Sequence, residues 1–252
     1  MLIYLVDPVH TYTGTQNSAF IPLSVLNISS YIQEQFGSEI EVRVFKFPEK
    51  ILGAINDRPP DMIGVSNYAW NFHLGLAILT SAKKANPDVV TVMGGPNVTL
   101  TEPEMRALLA DGLIDYYVPD NGAGGEKSFS SLVAAKLSNT HPLHEHEKAS
   151  GLWYLDKRTS CAQHIPSCPP EKSMDWLPSP FLKGLADEFF EDGLTAMIET
   201  NRGCPFHCTF CVWGAQDNYS KVTQFSVESV QADLDYICEQ VHKDLLLIND
   251  AN

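Results

Sequence analysis

The chain has 252 residues, 44% of them hydrophobic and 19% charged, with a formal net charge of −14 at pH 7. That length is enough to bury one large or two ordinary domain cores. The acidic balance, with its 17 Lys and Arg residues scattered along the chain, excludes a phosphate-backbone partner such as nucleic acid and leaves a small-molecule substrate or a protein as the expected partner.

The opening "MLIYLVDPVH" has no basic leader, and its apolar run is far shorter than a signal-peptide core or a membrane span. A cytoplasmic protein with no membrane partner is expected, and Leu2 to Val6 reads as a strand. Further short β-rich runs follow at Glu41 to Phe47, Met62 to Ser66, Val89 to Met93 and Leu113 to Val118. Between them the period changes: Ile21, Val25, Ile28, Ile32 and Phe36 recur every three or four residues, as do Phe72, Leu76 and Leu79. With a last helix over about Lys127 to Leu137, five strands and four crossovers predict an α/β fold, a flavodoxin-like (Rossmann-like) doubly wound parallel sheet over residues 1–140. Ligands of such sheets sit outside the carboxyl ends of the strands. The segments there are "DPVHTYTGTQN", "NYAWN", "GGPNVT" and "PDNGAGGE", three of them rich in Gly, Asn, Pro or Ser, which let a ligand approach the backbone. Strand-to-helix turns use the same residues.

Residues 141–180 differ. "HPLHEHEKAS" is polar and carries His141, His144 and His146, while "HIPSCPPEKSMDWLPSP" is proline-rich and lacks a helical period. A linker is expected, with one hairpin around Gly151 to Cys161, and with solvated histidines and incidental Cys161 and Cys168. From 181 the alternation resumes: a helix near Phe181 to Phe190, a strand Leu194 to Thr200, a loop, a helix and a strand Asp244 to Asp250. The helix is marked by Ser226 as N-cap, Glu228 in its first turn, and Val227, Val230, Leu234, Ile237 and Val241 at alternating three- and four-residue spacing.

The loop between is "ETNRGCPFHCTFCVWG", which holds three of the six cysteines as Cys204, Cys208 and Cys211. Composition alone gives roughly 0.003 chance occurrences of any one fixed three-cysteine spacing. Six cysteines are too sparse for a disulfide scaffold, so the cluster points to a metal. Zinc is one reading, with His207 or Cys238 as fourth ligand, although structural zinc usually draws on two separated ligand pairs and no second pair stands at a suitable spacing. The other is a [4Fe–4S] cube held at three corners, with its fourth iron open. The loop leaves a strand towards a helix, where βα enzymes place their chemistry.

Cys204, Cys208, Phe210 and Cys211 form a CxxxCxxC pattern with an aromatic residue before the last cysteine, and it resembles the signature of radical S-adenosylmethionine (SAM) enzymes. The resemblance implies that the three cysteines ligate a [4Fe–4S] cluster whose free iron chelates SAM, with Phe210 beside the adenine. One electron, from a donor such as flavodoxin or ferredoxin, would then cleave SAM to methionine and a 5′-deoxyadenosyl radical. Cluster potentials reach about −700 mV, as that reduction requires.

The flavodoxin-like domain, the proline-rich linker with "LPSP" and this loop together resemble the cobalamin (B12)-binding radical SAM enzymes, in which residues 181–252 would be the start of a radical SAM partial TIM barrel. "PDMIGVSNYAWN", "VMGGPNV" and "DNGAGGEKSF" look like the B12-domain loops of that family. The resemblance therefore implies cobalamin contacts at Asp7, His10, Ser66, Asn67, Gly94, Gly95, Pro96, Gly122, Gly125 and Glu126. The sequence departs from the DxHxxG pattern of the methionine-synthase type: "DPVHTYTG" places Asp7, His10 and Gly14 with one residue more in each interval.

The implied activity is methyl transfer to an unactivated carbon, using methylcobalamin and the 5′-deoxyadenosyl radical. A radical SAM cyclase or rearrangement enzyme is the alternative, and a non-catalytic cobalamin or zinc module is a third reading. Only the first βα unit and second strand of the barrel are expected here, which implies a C-terminally truncated fragment, inactive alone, with its substrate contacts elsewhere. No residue is assigned to catalysis.

Overall fold

The computed structural model describes residues 1–9, 11–12, 15–16, 20–98, 101–119, 125–140, 151–166, 171–206, 208–211, 221–241 and 245–250. In chain order the first region contains β1 (Leu2–Val6), the two-residue strands β2 (Thr11–Tyr12) and β3 (Thr15–Gln16), α1 (Leu23–Phe36), β4 (Glu41–Phe45) and α2 (Pro48–Asp57). It continues through β5 (Met62–Ser66), α3 (Phe72–Ala85), β6 (Val90–Gly95), α4 (Glu102–Leu109), β7 (Tyr116–Pro119) and α5 (Gly125–Leu137). A hairpin of β8 (Leu152–Asp156) and β9 (Cys161–Ile165) follows, then α6 (Asp187–Glu191), β10 (Ala196–Ile198), β11 (Asn201–Arg202), β12 (Thr223–Gln224), α7 (Val227–Gln240) and β13 (Leu246–Ile248).

The main sheet runs β4-β1-β5-β6-β7-β8-β9. Its first five strands are parallel, and in order of appearance they lie 2-1-3-4-5, the flavodoxin arrangement. Every residue of β1 and β5 is buried, as expected of central strands covered on both faces. Successive side chains of β1 point to opposite sides. Tyr4 and Val6 join Ile51, Ile55, Ile78, Leu79 and Met105 under α2, α3 and α4, whereas Ile3 and Leu5 join Val25, Ile32, Phe129 and Leu132 under α1 and α5. The helices thus cover both faces, as a doubly wound sheet requires.

The expected strands at 2–6 and 62–66 are observed without change, and that at 113–118 begins later, at Tyr116, because Gly112 turns the chain at φ +71°. The hairpin expected in the linker is present. It pairs antiparallel onto β7 through Tyr116 and Tyr117 opposite Tyr154 and Trp153, so the sheet continues past residue 140 to Ile165.

The expected helix over 181–190 is mostly a series of turns, and only Asp187–Glu191 is helical, because Gly184 adopts φ +68°. β10 and β13 pair in parallel as one βα unit with its second strand. Ser226 caps α7 as expected, accepting from the Ser229 amide at 3.2 Å, but only Ile237 of the helix's apolar positions is buried and Val227 is exposed. No described helix is long and apolar enough to cross a membrane.

The two regions share a core. Val9, Ile21, Leu23, Leu26 and Phe47 pack with Phe181, Ala186, Phe189, Leu194, Ala196, Ile198 and Ile237. Phe20 forms a parallel bridge with Thr195, and Ile21 N donates to Thr195 O at 3.1 Å. The segment before α6 is fastened to α7: Asp175 Oδ1 accepts from Ser226 N, Ser226 Oγ and Ser229 Oγ, and Ser179 Oγ donates to Asp233. α1 holds the same segment, with Ser30 Oγ donating to Pro178 O at 2.8 Å.

Candidate cofactor site

Because β1, β5, β6 and β7 are parallel, Asp7, Ser66, Gly94, Gly95 and Pro119 all lie at one end of the sheet. The polar side chains there are bonded to one another. Asp7 accepts from buried Lys46 Nζ at 3.0 Å and from Ser66 Oγ at 2.6 Å, and Asn71 Nδ2 donates to Ser66 Oγ at 3.1 Å. Fully buried Asn67 donates through its amide to Gly94 O at 2.6 Å and through Nδ2 to Tyr117 OH at 3.2 Å, while Tyr117 OH donates to Gly95 O at 2.6 Å. Paired in this way, buried polar groups rigidify this end instead of costing their desolvation.

The two glycines have a defined role at this end. A Cβ on Gly94 would lie 2.8 Å from Val118 O, and one on Gly95, at φ +135°, would lie 2.4 Å from Asn67 O. The close approach expected of these glycines is therefore made to neighbouring backbone. Pro96 follows them half-buried. Above the β5 end, Tyr68 and Trp70 stack with centroids 4.7 Å apart, and Trp70 is 66% exposed. Trp70 is absent from the residues singled out by sequence, although an aromatic inside an Asn-rich strand-end loop was the available signal. His10 and Gly122 lie outside the described residues, as do His141, His144, His146, Cys168 and His207.

Gly125 and Glu126 open α5, and Glu126 is 2% exposed. Its carboxylate receives both terminal nitrogens of Arg202, at 3.0 and 2.7 Å, while Arg202 Nε donates to both oxygens of Glu199 at 2.9 and 3.0 Å. Burial alone would lower the Arg202 pKa, but the Glu126 and Glu199 carboxylates more than offset it and hold the guanidinium charged. Burial pushes the Glu199 carboxyl upward, with Arg202 opposing.

Arg202 ends β11, which pairs antiparallel with β12 as Asn201 opposite Gln224 and Arg202 opposite Thr223. This ladder closes the base of the cysteine loop. Asp250, just beyond β13, braces it by accepting from the amides of Thr200 at 2.8 Å and Asn201 at 3.3 Å, and from the Thr200 hydroxyl. Gly203, at φ +94°, then turns the chain into Cys204. Cys204, Cys208 and Cys211 carry free thiols, Cys211 N donates to Cys208 O at 3.0 Å, and the Phe206 and Phe210 rings are exposed. Among the described residues no three His, Cys, Asp or Glu side chains converge on one metal position, so the thiols share a loop but not a common point. As a donor set, three unpaired thiols on a strand-end loop suit iron–sulfur ligation. Cys238 is a separate free thiol on the exposed side of α7.

Residues 9–123 match the B12 binding domain family. The chain is 31% identical over 254 residues to the cobalamin-dependent radical SAM methyltransferase TokK of Streptomyces tokunonensis, covering 96% of this chain and 35% of that protein. The chain thus carries a match to the B12 binding domain and is similar to cobalamin-dependent radical SAM methyltransferases. Another relative, the 2-(S-pantetheinyl)-carbapenam-3-carboxylate methyltransferase of Streptantibioticus cattleyicolor, is 26% identical over 96% of this chain and 35% of its own length. Matches that cover so much of the chain necessarily include the cysteine loop. The same fold is seen in the solved structure of the cobalamin-dependent SAM radical enzyme OxsB with aqua-cobalamin bound, at a TM-score of 0.72 and 20% identity, over the whole of this chain and 34% of that one. The chain thus spans about a third of the length of the relatives it matches.

Proposed function

We propose that this chain is the cofactor-binding part of a cobalamin-dependent radical SAM methyltransferase that acts on an unactivated carbon of a small molecule. The observation that carries the reading is the joining of two sites by Arg202. This residue lies two positions before Cys204, and its guanidinium is bonded to Glu126 at the opening of α5, beside the strand-end loops of the B12-binding sheet.

In this reading the backbone of Ser66–Asn67 and Gly94–Pro96 forms the floor beneath cobalamin, and the exposed Trp70 indole supplies an apolar face to a large planar ring. Asp7, Lys46, Asn67 and Tyr117 hold that floor through the hydrogen bonds described above. Cobalamin would supply the methyl carrier. Cys204, Cys208 and Cys211 would hold a [4Fe–4S] cluster, which supplies low-potential electron transfer to SAM, and a flavodoxin or ferredoxin would deliver the electron. Phe210, 90% exposed beside Cys211, would cover the adenine of SAM. Methyl transfer is preferred to cyclisation or rearrangement because both curated relatives named above are methyltransferases.

The test is anaerobic reconstitution of the full-length protein with iron, sulfide and hydroxocobalamin. A reducible [4Fe–4S] signal that Cys208→Ala abolishes, together with retained corrinoid, is expected. One bound zinc and no reducible cluster would overturn the radical reading, and loss of all corrinoid on gel filtration would overturn the cobalamin reading.

A further inference from the structure

From its geometry we infer that Glu126 is a positioning residue: through Arg202 it sets where the cysteine loop stands relative to the B12-binding sheet. The inference rests on the proposed function and deepens it, because it concerns how two cofactor sites on different domains are held in register.

Three observations carry it. The contact is long-range, joining residues 76 apart, and it is the forked, two-bond arrangement that fixes direction as well as distance. It is also buried, with side-chain exposures of 13% for Arg202 and 3% for Glu126, so water neither screens nor replaces it. Finally, its two ends are the places that have to be aligned. Glu126 stands in the first turn of α5, whose amino end favours a carboxylate, directly after the loop that follows β7. Arg202 is the last ladder residue before the cysteine loop.

The hydrophobic core shared by the two domains already supplies apolar burial. A buried ion pair adds little net stability over an apolar pair of the same volume, and its best-attested use is to specify one arrangement among several. Here the arrangement specified is the angle at which the loop leaves β11. Glu199 orients the guanidinium from the loop side through Nε, so the second carboxylate, on the other domain, is the one that decides position.

The experiment compares full-length wild type with Glu126→Gln, which keeps the shape and leaves the Arg202–Glu199 pair intact, and with Glu126→Asp, which keeps the charge but withdraws it by one methylene. Amide hydrogen exchange is read first, without cofactors. Exchange across residues 203–211 is expected to accelerate roughly tenfold or more in Glu126→Gln, while core amides of β1 and β5 are unchanged. Glu126→Asp should fall between the two. Loaded protein is then read by pulsed electron paramagnetic resonance between cob(II)alamin and the reduced cluster, where a single narrow distance in wild type should broaden in Glu126→Gln with both cofactors still bound.

Unchanged loop exchange in Glu126→Gln would overturn the inference. So would loss of corrinoid without release of the loop, which would make Glu126 a cofactor contact. A wild type that binds neither cofactor would overturn the proposed function instead, and the exchange result would still decide the role of Glu126.

Discussion

Gly95 and Asn67 meet so closely that no side chain fits between them: a Cβ on Gly95 would stand 2.4 Å from Asn67 O and 3.2 Å from Asn67 N. The backbone at Gly95 also has φ +135°, a conformation that L side chains rarely adopt. Gly95→Ala must therefore push the β5 and β6 ends apart and strain its own backbone. A loss of about 3 kcal/mol is expected, from overpacking together with strain. Urea unfolding of the full-length protein measures it. A midpoint within error of wild type would show that the Asn67 loop moves aside freely.

How much of this end of the sheet is legible in the sequence depends on the range of the interactions involved. The strands at 2–6 and 62–66 are readable because apolar runs of about five residues with a polar boundary are too short for a helix and suit a sheet buried on both faces. That Gly94 and Gly95 permit close approach is readable too. What approaches them is not, because Val118 O and Asn67 O arrive from other strands. The same limit hid the pairing of β8 with β7 and the bond between Glu126 and Arg202, whose residues stand 76 apart with no local spacing to link them. The cysteine loop is the opposite case: its ligand set lies within eight residues, so composition and spacing suffice to mark it.

Lys46 is 3% exposed, and its ammonium is bonded to Asp7, whose side chain is 18% exposed. Removing the cation leaves a mostly buried carboxylate with, among the described residues, only the Ser66 hydroxyl bonded to it. Lys46→Met should thus destabilise by about 3 kcal/mol, the lower end of what a broken buried pair costs, since Asp7 keeps some contact with water. The double variant Lys46→Met with Asp7→Asn should recover most of the loss. Denaturant midpoints of the three proteins decide the matter, and a double variant no better than the single would mean that the lysine stem, not the charge, matters.

Tyr116 gives the fold a definite alkaline limit. Burial in the β7–β8 ladder, reinforced by the Asp115 charge and by Tyr154, pushes its phenol up to about 12 from an ordinary value of 10.0. The folded state keeps the proton while the unfolded chain gives it up. The contribution to stability is therefore complete below pH 10 and is lost as the pH rises through 12, for a total of about 2 to 3 kcal/mol. Tyr116→Phe has no proton to lose, so its urea midpoint should fall less steeply over that window. Parallel curves for the two proteins would assign the alkaline loss to other groups.

Trp70 separates folding from cofactor retention. Its indole is stacked on Tyr68 but 66% exposed, so the isolated chain gains little by keeping it. Trp70→Ala should change stability by no more than about 0.5 kcal/mol, the range of surface substitutions. If a corrin ring covers that face, as proposed, burial of the indole is worth about 1.5 to 3 kcal/mol on binding, so the variant should hold corrinoid roughly ten- to a hundredfold more weakly. Corrinoid retained after anaerobic gel filtration, read by absorbance, provides the measurement alongside a thermal melt. Unchanged retention would remove Trp70 from the site, whereas a lowered melting temperature with proportionate loss of corrinoid would mean that the ring serves the fold.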